Sequence, residues 1–430
     1  MISLAQREDV QKTESLRFYL VLAFAFFLPF DRFYSTLIIF VLLLTTLIDY
    51  KSINFRRIPK VFWIFQIPIF LSIIGYFYSN YKAGSSSIIE RQMVFVILPI
   101  LLPLSLSYIN KDRINSIFRA LKNGSLIAVV YLFLVHILEV IDGTEQFDLL
   151  NSSFYNHLFS APLEIHATYL SIYIIASIVF LSTQFFKKPV LKTSYLIIIS
   201  ELFVLLAGLF FLASRNSIIT FLFLFLFIFP FFFIKKKVLY LALFILISGI
   251  LAFTLSKNDY LYSRFGNELV TDIASVDDSS AVGLLTSNEP RVKKWELAIP
   301  VILNSPVYGH GTGDEAPLMK PLYYENGFII SYVNNYNIHN QYISVLIRNG
   351  FLGLILFMFY IFYNFRLAIR NKSFLYVSVL IIMTFGFLTE NILDSNKGIF
   401  FFAFFNTILG YYCINNKKRE VHSVESNEIN

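Results

Sequence analysis

The 430-residue sequence predicts an all-α integral membrane protein of about twelve transmembrane helices, with one large extracytoplasmic loop domain between helices nine and ten. Three observations predict it. Hydrophobic residues make up 57% of the chain against 15% charged, and the mean hydropathy is +0.65, whereas a soluble domain is about a quarter charged. Apolar runs of about 20 residues, enough to span a bilayer, recur along the chain. Lysine and arginine cluster in alternate connections between those runs. No period of two appears, so the spans are helices and not barrel strands. This composition excludes a soluble enzyme, a nucleic-acid binder and a disordered scaffold. The formal charge of +7 belongs to membrane loops.

The runs lie near residues 16–30, 33–49, 59–79, 88–108, 114–141, 166–186, 193–212, 216–234, 238–256, 341–363, 373–389 and 398–414. Only Asp31 and Arg32 separate the first two. The polar start, Met1 to Arg17, is followed by no small-residue cleavage site, which reads as an uncleaved first helix. With the N-terminus inside, the inner segments collect Arg7, Lys12 and Arg17, then Lys51, Arg56, Arg57 and Lys60, then Lys111, Arg113, Arg119 and Lys122. Next come Lys187, Lys188 and Lys192, then Lys235 to Lys237, then Arg366, Arg370 and Lys372, and finally Lys417, Lys418 and Arg419. The outer loop 142–165 carries Asp142, Glu145, Asp148, His157 and Glu164 but no Lys or Arg. The positive-inside rule is therefore met at every inner segment, with both termini cytoplasmic.

The expected division is nine helices over 1–256, a loop domain over 257–340, three helices over 341–414 and a tail over 415–430. Loops that long without structure are uncommon and usually functional. This one holds Trp295, several glycines, and ten acidic against six basic residues between 257 and 339. The lone Cys413 permits no intrachain disulfide. No internal repeat, inverted pair of broken helices or low-complexity tract is found.

The loop ends in Asn337-Ile338-His339-Asn340-Gln341, directly before an apolar run. Asn340 is a natural N-cap, which sets His339 at the positive end of a helix dipole, where imidazolium is disfavoured. Such a histidine can act as general base toward a hydroxyl; read as residues alone, it can equally be a cap or an interface group. If the helix is regular, Gly350 lies on the same face about 16 Å deeper, with Gly353 close to it, where small residues let a neighbouring helix approach. Arg215 stands in a short outer turn between two spans. A guanidinium there can bind phosphate bidentately, or simply snorkel at a helix end. Arg291 opens a helix after Pro290 and is either a phosphate contact or a solvated charge.

Four further features are open on the residues. Gly309 to Asp314, with Gly311 and Gly313, is a turn whose N–H groups can face a phosphate. His310 with Asp314 and Glu315 lacks the spacing of a metal site, and no metal is expected. Arg91 beside Glu90 either pairs with it or touches a carrier lipid, pairing being favoured. Arg348 lies about 180° around the helix from His339, and it raises with Glu201 and His136 the question of intramembrane charge.

The spacing His339-Asn340, nine residues, Gly350, two residues, Gly353 resembles the signature of the O-antigen ligase family, which transfers finished polysaccharide from an undecaprenyl diphosphate carrier. Arg291 through Gly313 is similar to the Arg, Trp, Gly-x-Gly run that precedes it in many members. Ser214-Arg215-Asn216 resembles the family's periplasmic arginine. About twelve spans and a large periplasmic loop between two late ones also fit. The resemblance implies a bacterial inner-membrane enzyme acting at the periplasmic face, inverting and metal-independent, with no cofactor. It implies His339 as the catalytic residue, Arg215 and Arg291 as donor-diphosphate ligands, and Asn340, Gly350 and Gly353 as support. The implied partners are an undecaprenyl diphosphate-linked glycan, lipid A core or another hydroxyl acceptor, and membrane lipid, with no nucleic acid. A polysaccharide polymerase, a protein O-oligosaccharyltransferase and, more remotely, a lipid-linked oligosaccharide flippase stay open beside the ligase.

Overall fold

The computed structural model describes residues 4–49, 53–143, 154–186, 192–255 and 289–428. It is helical throughout and no strand occurs among the described residues. The helices are α1 (Leu4–Phe27), α2 (Arg32–Ile48), α3 (Ile67–Tyr78, entered through a 3-10 segment Lys60–Gln66), α4 (Lys82–Gln92), α5 (Val94–Ser105) and α6 (Lys111–Ile141). Then come α7 (Asn156–Ser160), α8 (Ala167–Phe185), α9 (Lys192–Leu212), α10 (Arg215–Phe223), α11 (Phe229–Phe233) and α12 (Lys237–Leu255). The last six are α13 (Arg291–Asn304), α14 (Glu315–Glu325), α15 (Ile329–Val333), α16 (Gln341–Arg370), α17 (Phe374–Gly386) and α18 (Asn396–Glu428).

A helix therefore stands at each of the twelve apolar runs. Among the described residues, eight are long and apolar enough to cross a membrane: Lys60–Tyr78, Lys82–Ser105, Lys111–Ile141, Ala167–Phe185, Ser194–Leu212, Arg215–Phe233, Gln341–Arg370 and Asn396–Asn415. The stretches Arg32–Ile48 and Phe374–Gly386 are apolar but shorter. Lys51, Lys187, Lys188, residues 144–153 of the acidic loop with Glu145 and Asp148, and residues 257–288 of the large loop lie outside the described residues.

Two helices form the centre. In the apolar windows of α8 and α18, 83% of residues are buried inside the protein, against 22% for α9 at the rim. The α8 sequence is apolar on all sides, as a surrounded helix must be. Three of its serines bond within the helix: Ser171, Ser177 and Ser182 each donate to the carbonyl four residues back at 2.8 Å. A buried polar knot ties α16, α17 and α18 together. The Tyr376 hydroxyl lies 2.8 Å from Asn364 Oδ1 and 2.7 Å from Asn406 Oδ1, and Asn406 Nδ2 donates to Tyr360 Oη at 3.1 Å. Tyr376→Phe is expected to lower stability by about 1 kcal/mol, the usual scale for such bonds between membrane helices. A thermal melt of the purified protein in detergent checks it; an unchanged midpoint would show that the knot adds nothing.

Several charges inside the bundle are paired among the described residues. Lys122 on α6 meets Glu201 on α9, and Arg17 on α1 meets Asp49 at 3.0 Å. His136 lies 2.9 Å from Glu139 and stacks on Phe159. These contacts give Glu201 and His136 partners within the bundle. A second, smaller core joins Ala298 and Val301 of α13, Met319 and Tyr323 of α14, Phe328, Ile338 and Ile347 of α16. It seats the described part of the large loop on one end of the bundle.

Candidate functional site

The site is assembled where α16 begins and α17 ends. Asn340 caps α16, its side chain accepting from the N–H groups of Tyr342 and Ile343 at 3.0 and 3.1 Å. Its Nδ2 donates to Leu388 O at 3.1 Å, and its N–H donates to Asn391 Oδ1 at 2.9 Å. The cap is thus fastened to the connection after α17. His339 precedes it with φ +52°, in the left-handed region where L residues are disfavoured. Its N–H donates to Asn337 Oδ1 at 3.0 Å, the short local turn that Asn side chains make. On the other side Trp295 Nε1 donates to Ile338 O at 3.1 Å, and Ile338 N–H donates to Glu315 Oε1 at 3.1 Å. The strained residue is held by hydrogen bonds from both neighbours.

The His339 ring faces a carboxylate that sequence reasoning did not find. Nδ1 lies 3.1 Å from Glu390 Oε2, and Arg291 Nη2 donates to Glu390 Oε1 at 3.2 Å. One buried acid therefore joins two residues 48 positions apart in sequence. The side chains of His339 and Arg291 are 22% and 29% exposed while that of Glu390 is 9% exposed, so the acid backs the two groups that face outward. Burial pushes the Glu390 carboxyl up. The hydrogen bond from His339, with the charges of His339, Arg291 and His166, outweighs burial and holds it at about 2.

A depressed carboxylate stabilises the fold above its ordinary value of 4.5, and that contribution is lost as pH falls from there toward 2. The thermal midpoint is accordingly expected to fall across this range, and the Glu390→Gln variant to lack that part of the fall. Identical pH profiles for the two proteins would rule out Glu390 as the responsible group.

His166, the N-cap of α8, lies in the same electrostatic neighbourhood. Its Nδ1 accepts from Thr168 N–H at 3.3 Å and its ring lies 4.0 Å from that of His157. Desolvation lowers its affinity for a proton; Glu390 opposes this, while His339 and Arg291 add to it.

Beneath His339 sits a buried ion network. Arg348 Nη1 and Nη2 donate to the two carboxylate oxygens of Asp394 at 2.8 and 2.6 Å, and Nη2 also lies 2.6 Å from Glu315 Oε2. Asn391 Nδ2 donates to Ser344 Oγ at 2.6 Å and reaches Glu315 and Asp394 at 3.3 Å. Burial raises the Asp394 carboxyl, but the Arg348 charge and hydrogen bonds, the Asn391 bond and the Arg91 charge bring it below its ordinary value. Glu315 from the loop and Asn391 from the bundle thus fix the N–H groups on either side of His339.

Several expectations need correction. α16 is not regular: Gly350 has φ +63° and ψ −165°, which breaks the helix. A Cβ there would lie 2.3 Å from Val307 O. The close neighbour is the backbone of the 305–311 loop and not another helix. Phe351 N–H donates to Pro306 O at 2.8 Å, and the N–H groups of His310 and Gly311 donate to Ile347 O and Arg348 O at 2.8 and 2.9 Å. Gly353 serves the same break, since a Cβ would lie 2.2 Å from Asn349 Cβ.

Gly311 and Gly313 do not present a phosphate cradle, because the N–H groups from His310 to Asp314 are given to protein acceptors. Gly311 (φ +114°) instead lets the loop lie on Ser79. Asp314 accepts from Ser79, Asn80 and Tyr81 at 2.6–2.9 Å, and His310 Nε2 lies 2.7 Å from Val301 O, so these residues diverge from Glu315. Arg91 donates to Asp394 O at 2.6 Å and to Ser87, in place of the favoured pairing with Glu90.

Arg215 opens α10 and is half-buried. The next residue, Asn216, donates to Phe385 O at 3.0 Å, while Gln341 N–H donates to Phe387 O at 2.8 Å. The starts of α10 and α16 therefore meet the same end of α17. Arg215, Arg291 and His339 share one end of the bundle, and Arg291 and His339 share one carboxylate.

Residues 202–358 match the family model described as O-antigen ligase. Over this stretch the chain is similar to the O-antigen ligase family. The matched stretch runs from within α9 to beyond the break in α16 and contains Arg215, Arg291, His339, Gly350 and Gly353. His166, Glu390 and Asp394 lie outside the matched span, on elements that pack against it. A comparison with curated proteins finds no match.

Proposed function

We propose that the protein is an O-antigen ligase-type glycosyltransferase, moving a glycan from undecaprenyl diphosphate to an acceptor hydroxyl, with lipid A core as the first-choice acceptor. The observation that carries the reading is the pair of outward-facing groups, His339 and Arg291, on one buried carboxylate. Glu390, accepting from Nδ1–H, orients the imidazole and leaves Nε2 as the basic nitrogen. Nε2 takes the proton of the acceptor hydroxyl as its oxygen attacks the anomeric carbon. The sugar–phosphate bond breaks on the opposite face, and the diphosphate leaves with the bonding electrons. Arg291, with four of its five N–H donors beyond the Glu390 bond, and Arg215 hold the diphosphate and stabilise the charge that develops on it. One displacement without a covalent intermediate inverts the anomeric configuration. The reading places this chemistry at the periplasmic face of the inner membrane, with twelve spans, both termini in the cytoplasm and the 257–340 loop as an extracytoplasmic domain.

A polymerase on the same carrier is the second reading, because the family match covers the shared domain and no residue here identifies the acceptor. A surface-glycan gel from a strain lacking the gene separates the two, with the carrier-linked pool assayed alongside. Loss of long chains from lipid A core, with full-length polymer accumulating on the carrier, supports the ligase. A core that keeps one repeat unit, with single units on the carrier, overturns it in favour of the polymerase.

A further inference from the structure

At the end of the bundle remote from His339 lies a cavity of about 400 Å³ that the proposed transfer does not use. Its place follows from the helix directions. α8 and α16 begin beside the site, at Ala167 and Gln341, and their far ends, near Thr183 and Asn371, line the cavity. α17 runs the other way, from Phe374 at the cavity to Gly386 near the site. The lining has two parts. Lys111 and Lys372 are exposed and stand at the rim beside the polar groups of Asn115 and Ser373. Phe232 and Phe374 form an apolar wall. No acidic side chain is among the described residues that line it.

The backbone at Lys372 gives the rim its second argument. α16 ends in a Schellman motif, with Ser373 N–H donating to Ala368 O at 3.0 Å and Lys372 N–H to Ile369 O at 2.9 Å. The residue in the left-handed position of that motif is usually glycine, because it has no Cβ to strain. Here it is lysine, with φ +48°. The chain carries a conformational cost to put an ammonium at the mouth of a cavity whose other cation is Lys111. Asn371 Nδ2 donates to Leu367 O at 2.9 Å, which fixes the residue before it. Two cations over an aromatic wall, at the end of several apolar helices, match a ligand that is anionic at the interface and apolar below it.

We propose that this cavity binds the phosphate headgroup of an anionic phospholipid, with its acyl chains along Phe232 and Phe374. The site is separate from glycan transfer and stands whether or not that reading holds. Removing a lysine near an anionic headgroup weakens binding about fivefold, and removing two multiplies the effect.

The test uses the full chain purified in a neutral detergent, with phosphatidylglycerol or phosphatidylcholine added as the probe. Retained lipid is counted by native mass spectrometry, and the thermal midpoint is read alongside. Phosphatidylglycerol is expected to be retained and to raise the midpoint where phosphatidylcholine does neither. Lys111→Gln with Lys372→Gln is expected to cut retention tenfold or more. The double variant Lys235→Gln with Lys236→Gln removes equal charge from exposed residues outside the lining and is expected to retain lipid as the parent does. Equal loss in both double variants would overturn the site in favour of general basic attraction. Inorganic phosphate raising the midpoint as far as the lipid does would overturn the lipid assignment, leaving a free-anion site.

Discussion

His339→Asn is expected to reduce glycan transfer about a thousandfold at neutral pH while the protein still folds and inserts. A positioned general base supplies roughly 10²–10⁴ in rate, and asparagine has no basic nitrogen with which to take the acceptor proton. Asparagine is the informative replacement because it tolerates the left-handed backbone that φ +52° imposes, whereas alanine would add strain to the chemical loss. The loss is expected in kcat, with KM for the carrier-linked donor little changed, since the donor's diphosphate is assigned to Arg215 and Arg291. Single-turnover transfer with a fluorescent lipid-linked donor measures both. Transfer within a few-fold of the parent would remove His339 from the mechanism. A raised KM with unchanged kcat would reassign it to binding.

Arg348→Met is expected to be the most destabilising single change, by about 3–5 kcal/mol, because it leaves buried carboxylates without their counter-charge. Asp394 and Glu315 both lie within 2.6 Å of that guanidinium, and side-chain exposure at Arg348 is 8%. Two follow-on variants make the argument specific. Adding Asp394→Asn and Glu315→Gln to Arg348→Met removes the stranded charges and is expected to recover part of the loss. A chemical-unfolding series in detergent reads the whole set. If Arg348→Met costs less than about 1 kcal/mol, water or rearranged partners reach the carboxylates and the network is not a closed one.

The helical spans were legible because their signal is long and one-dimensional: about 20 apolar residues in a row need no knowledge of neighbours. The start of α16 was legible for a related reason, since an Asn before an apolar run carries its own capping chemistry. Glu390 was not. It lies 51 residues beyond His339, in a short connection whose only local signal is that Thr389-Glu390-Asn391 and Asp394 place two acids between apolar helices. An acid is read as a partner only when the fold delivers a base to it. His166 was hidden in the same way, at the edge of a run read simply as a span. Gly350 shows the opposite failure. Its spacing was visible, but the regular-helix assumption turned a break into a packing stripe, because the segment that enters the break comes from 305–311 and only the fold shows it.

That break bears on how the protein is built. A nascent segment as apolar as Gln341–Arg370 enters the bilayer most cheaply as an uninterrupted rod, because lipid offers no partner for an opened peptide group. The bend at Gly350 can then form only once the stretch around Val307, which leaves the ribosome earlier, returns to supply carbonyls for Phe351 and Leu352. Membrane insertion and completion of the His339 end become two events in time, the second waiting on a chain segment already made. A chain halted between them would be correctly threaded, protease-resistant in its spans and inactive, with Pro306 and Val307 still accessible. Maturation of this protein would then be followed by the accessibility of a seven-residue loop rather than by topology.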